Sequence, residues 1–273
     1  MEFRSGLLKR LFHNRGRLMI DGKEEYRKMA DAEGSLWWYR ILHKLTHEAI
    51  QRRFADDTAI RILDLGCGTG GMMQYLKDRG YQNIQGIDLS EEAVRISKER
   101  SLNVSCGDML SVSKFVGQDE MDVIISNDTL YFIPENDRPE YLQVLASRLK
   151  ENGLLITNLP AMKEFSGMHD QSVGIEKRFE RDQVNVMFSQ TEFTVLGQRF
   201  WPFVLSPMIF IARAQQRRKM LKKPQVPVTS DVGVPPFLVN QCLYLATLAE
   251  VSLIRSGPFA SSLFVVSQRK SPS

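Results

Sequence analysis

The sequence predicts an α/β fold built on a doubly wound, mostly parallel sheet, and three observations predict it. From residue 61 onward, short apolar runs alternate regularly with helix-like segments, the pattern of strands joined by crossover helices and covered on both faces. Ile62-Leu63-Asp64-Leu65 runs into Gly66-Cys67-Gly68-Thr69-Gly70-Gly71, an apolar strand that enters a glycine-rich turn and then a helix beginning near Met72. Asp88 closes the next strand about twenty residues beyond the turn, the spacing at which doubly wound sheets place a ligand-facing acid.

Residues 1–59 read as helices. Phe3, Leu7, Leu8, Leu11 and Phe12 recur at helical spacing, and so do Leu36, Tyr39, Leu42, Leu45, Ala49 and Ile50. Because ligands of such sheets bind outside the carboxyl ends of the strands, this leader is expected to act as a lid. Trp37, Trp38 and Tyr39 are its most notable residues; they can wall a cofactor or acceptor pocket, or simply anchor a helix to the core. Strand one is expected at 61–65, followed by a helix at 71–79 that Gly80 ends. Strand two is expected at 83–88, after which Ser90 caps a helix whose first turn carries Glu91 and Glu92. Strand three falls at 102–106, strand four at 121–126 and a helix at 136–149, and Asn152-Gly153 turns the chain into strand five at 154–158. Beyond Pro160 the alternation stops. A helical patch at 174–188 leads to a strand at 193–201, and a final strand is expected at 261–268. Pro202, Pro207, Pro224, Pro227, Pro235 and Pro236 mark the intervening stretch as an insertion. The expected organisation is a lid over 1–59, a core over 60–201, a helical insertion over 202–258, and the final strand and tail over 259–273.

With 273 residues, 43% of them apolar, the chain can bury a sizeable core. The formal charge of +4 is a mild excess that does not call for nucleic acid. Cys67, Cys106 and Cys242 form no C-x-x-C pair and no histidine cluster accompanies them, so reduced thiols and no metal site are expected. The first nineteen residues carry five basic side chains without a continuous apolar core, which argues against export and for a cytoplasmic protein. The apolar stretch at 200–212 is interrupted by Pro202 and Pro207 and is shorter than the ~20 residues that span a bilayer.

The glycine turn is a nucleotide-cofactor turn. Gly66-x-Gly68-x-x-Gly71 fits the dinucleotide fingerprint of NAD(P)-dependent oxidoreductases, but Asp64, two residues before the first glycine, would repel a pyrophosphate. The same carboxylate would attract the α-amino group of S-adenosylmethionine (SAM). Here the chain resembles the class I SAM-dependent methyltransferases, whose first motif is an acidic residue followed by spaced glycines. The resemblance implies a Rossmann-like, seven-stranded sheet that ends in an antiparallel last strand, with insertions there covering the active site. It also implies SAM-binding roles for Asp64, Gly66, Cys67, Gly68 and Gly70 at the turn, for Asp88 as ribose-binding acid with Leu89 beside it, and for Asp108 and Met109 at the adenine. Asn127 can hold the methionine moiety and Tyr131 can place a ring near the transferred methyl, where an aromatic face suits a sulfonium, or the stretch is simply a capped helix start leading to Pro134 and Glu135.

Acceptor signatures are mostly absent. Strand four ends Asn127-Asp128-Thr129-Leu130 rather than in the Asn/Asp-Pro-Pro-Tyr/Phe of base-amino methyltransferases, no Pro-Cys pair occurs, and no paired glutamates follow strand four. A small-molecule acceptor is favoured by elimination. Phe165-Ser166-Gly167-Met168-His169-Asp170, Lys177-Arg178-Phe179, Pro235-Pro236-Phe237-Leu238-Val239-Asn240 and Pro258-Phe259-Ala260-Ser261-Ser262-Leu263 resemble bacterial biosynthetic-cluster methyltransferases acting on small molecules or cell-surface glycans, with Ala260 standing where glycine is usual. In that resemblance His169 is a candidate general base, or a hydrogen-bonding lid residue, and Arg178 a holder of an anionic acceptor or a surface residue. The basic run Arg217-Arg218-Lys219-Met220-Leu221-Lys222-Lys223, like the N-terminal helix, can rest on an anionic membrane or serve a lipid-linked acceptor. A non-catalytic SAM-binding partner subunit is the remaining alternative.

Overall fold

The computed structural model describes residues 23–222 and 233–271. The helix expected around Phe3 to Phe12, and Lys223, Pro224 and Pro227, lie outside the described residues. Two helices, α1 (Lys23–Ala32) and α2 (Trp37–Phe54), precede the sheet. The alternating part follows as β1 (Ile62–Leu65), α3 (Gly71–Lys77), β2 (Ile84–Asp88), α4 (Glu91–Glu99), β3 (Val104–Cys106), β4 (Met121–Ile125), α5 (Arg138–Ala146) and β5 (Leu149–Pro160). After it come α6 (Met168–Val173), α7 (Arg181–Ser189), β6 (Phe193–Trp201), α8 (Ser206–Lys222), α9 (Phe237–Leu253) and β7 (Ser262–Arg269).

The seven strands form one sheet in the order β3-β2-β1-β4-β5-β7-β6. The first five pair in parallel, whereas β7 runs antiparallel to both β5 and β6. Successive residues point to opposite faces, and both faces are buried, so the strands read as continuous apolar runs rather than alternating ones. Ile62, Val123 and Ile125 meet α2, α3 and α4, while Leu63, Leu65 and Ile124 meet α5 and α7. The strand order reverses between β1 and β4, with Asp64 level with Ile125, and this switch point opens the ligand crevice at the carboxyl ends of the strands.

Two expectations are corrected. Strand five is longer than 154–158: it starts at Leu149, after an irregularity opposite Met121 and Val123, so the preceding helix stops at Ala146. The patch at 174–188 is not one helix. Gly174, at φ 73, ends α6, and a bridge between Phe179 and Ala161 separates it from α7. The insertion is helical as expected, and two of its described prolines sit at helix boundaries: Pro207 occupies the first turn of α8, where its missing N–H leaves no bond unmade, and Pro236 precedes α9. No helix among the described residues is long and apolar enough to cross a membrane.

Candidate active site

The turn after β1 is built on positive dihedrals, with φ of 70° at Gly66, 54° at Gly68 and 86° at Gly70. A Cβ on Gly66 would collide with Thr129 from the end of β4, so the two strand ends approach as closely as glycine allows. The turn is fastened to β2 by three backbone amides: Gly66 and Cys67 donate to the Ile87 carbonyl at 2.8 and 3.2 Å, and Gly68 to the Asp88 carboxylate at 2.8 Å. The other Asp88 oxygen accepts the Ser90 amide at 2.9 Å, and burial pushes this carboxyl above its ordinary range.

Asp64 faces the α2 side of the switch point. It is 4% exposed, and its carboxylate takes no hydrogen bond from a described residue. Burial above all, then the neighbouring Glu33 and Asp88, raises its pKa to about 8. On the adjacent strand end the Asn127 Oδ1 is buried with no hydrogen-bond partner. Buried acceptors without donors are costly in a folded protein unless a donor or a cation arrives from a ligand.

Helix α1 crosses over the turn. A Cβ on Gly68 would lie 3.2 Å from the Met29 sulfur, and one on Gly71 would lie 2.6 Å from Glu33. The Glu33 carboxylate accepts the Thr69 hydroxyl at 2.5 Å and an Arg100 guanidinium N–H at 3.0 Å, and Arg100 donates further to the Thr69 and Ala30 carbonyls. Tyr26 hydrogen-bonds with Ser90 and feels the charge of Asp88, and burial raises its pKa. Glu33, Tyr26 and Arg100 carried no motif in the sequence; only the folding of α1 back over the turn brings them to the site.

The remaining cofactor candidates sit around the same edge. Cys67 is buried, and a Cβ on Gly86 would touch its sulfur, so it packs beneath the turn. Leu89, at the end of β2, is exposed. Asp108 caps the turn that starts at Met109 by accepting the Leu110 amide at 3.0 Å, and Met109 lies half-buried against the core.

Beyond Asn127 lies an acceptor-side group that the sequence had not singled out. Asp128 adopts a left-handed backbone, φ 52, and both of its carboxylate oxygens accept from the Asn158 amide, at 3.2 and 3.1 Å. Asn158 is in turn held by the Trp201 indole N–H, which donates to its Oδ1 at 3.0 Å. Trp38 stacks on Trp201 with centroids 5.6 Å apart. Trp38 therefore anchors the lid to the core rather than walling a pocket. Trp37 is likewise a junction residue: its backbone amide donates to the Asn240 side chain at 2.9 Å, which caps α2 from α9. Tyr39 is close enough to Glu33 and Asp128 to feel both charges, and burial above all, then these two carboxylates, keeps its hydroxyl protonated. Burial above all, then Asp128 and Tyr39, likewise raises the pKa of Tyr131.

Arg178, expected to hold an anionic acceptor or to lie on the surface, is buried. Its guanidinium pairs bidentately with Asp170 at 2.7 and 2.7 Å and donates to the Ala161 and Ser261 carbonyls, tying β5 to β7. His169 is half-buried on α6, one residue before Asp170. Within the basic run, Arg217 turns inward and donates to the Glu164 and Ser166 carbonyls.

A family model described as methyltransferase domain matches residues 37–200, more than half of the chain. The chain belongs to the methyltransferase domain family. Among curated relatives of this methyltransferase chain, a malonyl-[acyl-carrier protein] O-methyltransferase of Bacillus anthracis is 28% identical over 172 residues, covering 59% of this chain and 58% of the relative. A trans-aconitate 2-methyltransferase of Mycobacterium sp. (strain KMS) is 33% identical over 109 residues, covering 40% of this chain and 41% of the relative. The chain thus spans less than two thirds of the length of these relatives. Among solved structures, phosphoethanolamine N-methyltransferase 2 of Haemonchus contortus, in complex with phosphomonomethylethanolamine and S-adenosylhomocysteine, superposes with a TM-score of 0.53 at 14% identity, over 84% of this chain and 53% of that one. Geranyl diphosphate C-methyltransferase of Streptomyces coelicolor A3(2) superposes with a TM-score of 0.54 at 11% identity, over 85% and 82%. These likenesses show the fold. The resemblance to class I SAM-dependent methyltransferases read from Asp64 and the glycines is shown at the level of the family, and the mixed seven-stranded sheet with its antiparallel last strand is the fold of these neighbours.

Proposed function

We propose that the protein is a SAM-dependent methyltransferase that methylates a small-molecule acceptor. The observation that carries this reading is the Asp64 carboxylate, 4% exposed and taking no hydrogen bond from a described residue beside a glycine turn, with the buried and unpartnered Asn127 Oδ1 two residues beyond the strand position level with it. The donor set fits SAM: its α-amino group supplies the missing N–H donors and positive charge, whereas a dinucleotide pyrophosphate would meet Asp64 with like charge. Asp88, with lone pairs left beyond its two backbone bonds, would take the ribose hydroxyls. Asp108 and Met109 would flank the adenine, and Leu89 and Cys67 would complete the walls. When bound, SAM supplies a methyl carbon already activated by its sulfonium.

The chain's own share of the reaction is to bind, orient and exclude water. Glu33 and Tyr26 hold α1 across the turn, Tyr39 closes the crevice from α2, and Tyr131 and His169 line the acceptor side. In this reading 23–54 forms the described part of the lid, and α8 and α9 form the cover, joined to the lid where Asn240 also donates to the Ser35 carbonyl at 2.8 Å. Titration calorimetry with SAM and with S-adenosylhomocysteine tests the proposal. One-to-one binding is expected, with no response to NADH; absence of SAM binding refutes it.

A further inference from the structure

We propose that Asp128, oriented by Asn158 and Trp201, takes the proton of the acceptor nucleophile, and that the acceptor atom is therefore the nitrogen of an amine or the oxygen of a hydroxyl rather than of a carboxylate. This rests on the SAM-dependent reading above. The geometry carries it. Asp128 stands three residues beyond Ile125, which is level with Asp64, so the two residues lie at the ends of adjacent strands of the switch point. The chain is forced into a left-handed turn there, and a relay of two hydrogen bonds, indole to amide carbonyl and amide to carboxylate, gives the group one orientation. Asn158 satisfies one lone pair on each oxygen and leaves the others for an acceptor.

The surroundings determine what kind of acceptor fits. Arg178, from the loop before α7, lowers the pKa of Asp128 through its field, but its donors are committed to Asp170, Ala161 and Ser261. Tyr39 of α2 and Tyr131 after β4 face Asp128 as protonated phenols, and Asp170 of α6 adds a second carboxylate near Tyr131. An anionic carboxylate acceptor would meet the Asp128 carboxylate with like charge. An amine or hydroxyl would enter as a donor to it. Burial brings the Asp128 carboxyl up to about 7, the range in which a base accepts a proton and returns it to water near neutral pH. In the balance, the nucleophile's lone pair forms the new bond to the methyl carbon as the carbon–sulfur pair stays on sulfur. The N–H or O–H proton passes to a carboxylate oxygen of Asp128, which then releases it to solvent.

The test incubates the full chain with methyl-tritiated SAM and a low-molecular-mass cell extract, and scores the product as alkali-stable or as alkali-labile label released as methanol. Alkali-stable label is expected, formed at a rate that rises with pH to a plateau with a midpoint near 7. Asp128→Asn should lower that rate at least about a hundredfold at pH 8 while S-adenosylhomocysteine affinity changes less than about twofold. Trp201→Phe should retain the fold and move the midpoint upward, because the Asn158 amide loses its anchor and donates less to the carboxylate. Methyl-ester label, or a pH profile that survives in Asp128→Asn and vanishes in His169→Asn, overturns the proposal. Independently of turnover, the carbon-13 carboxyl resonance lost in Asp128→Asn should titrate near neutrality, and a midpoint near 4 would overturn it. If SAM fails to bind at all, the methyltransferase reading fails, whereas the carboxyl titration still decides whether Asp128 is a base.

Discussion

Replacing Asp64 by asparagine should make the ligand-free protein more stable while removing its affinity for SAM. Asp64 has a pKa of about 8 in the folded chain against 3.8 for the ordinary carboxyl. Between pH 4 and pH 8 the folded protein keeps a proton that the unfolded chain releases, so stability falls as pH rises through that window, by up to about 1.4 kcal/mol per pH unit. Above pH 8 the whole penalty is in force. The isosteric amide removes the charge but leaves a polar group without partners, which returns part of the gain, and a net stabilisation of about 2 to 4 kcal/mol at pH 8 is expected. Near pH 4 the two proteins should be equally stable. Urea unfolding at pH 5, 6, 7 and 8 measures the difference, and calorimetry at pH 7 in buffers of different ionisation enthalpy measures the proton that the wild-type site releases when SAM binds. A parallel pH dependence in the two proteins, or unchanged SAM affinity in Asp64→Asn, would refute the reasoning.

Gly66→Ala should destabilise the fold by about 1–3 kcal/mol and abolish SAM binding, since φ is 70° and the new methyl group meets Thr129. Adding Thr129→Ser should recover only the steric part in thermal melts. Arg178→Leu should cost about 3–5 kcal/mol in urea unfolding because it strands the buried Asp170 carboxylate, and Arg178→Lys should not restore the bidentate pair. If Arg178→Leu instead leaves stability intact and alters only the acceptor KM, the guanidinium is an anion holder after all.

The sheet was legible because its evidence is local. Apolar runs of strand length, the caps at Ser90 and Gly80, and a glycine turn with Asp64 before it are readable without knowing where the chain goes next. The boundary errors have local causes too. Leu149 continues the apolar pattern of α5, so the start of β5 only emerges from its pairing with Met121. The proposed cofactor side draws on residues that each follow a strand end at short range, a pattern the sequence presents directly. The acceptor side was not legible. Asp128 is adjacent to Asn127, yet nothing in the sequence ties it to Asn158, thirty residues on, or Asn158 to Trp201, forty-three further.

The sequence by itself determined the fold class, the cofactor turn and the carboxylates at the ends of the first three strands, because periodicity and glycine dihedrals act over a few residues. Tertiary structure alone decided which of those carboxylates are left without partners, that Arg178 is consumed by Asp170, that Trp38 packs on Trp201, and that Glu33 closes over the glycine turn. Each of these depends on burial and on pairing between distant segments, and the charge a buried group carries is set by what surrounds it, not by its neighbours in the chain.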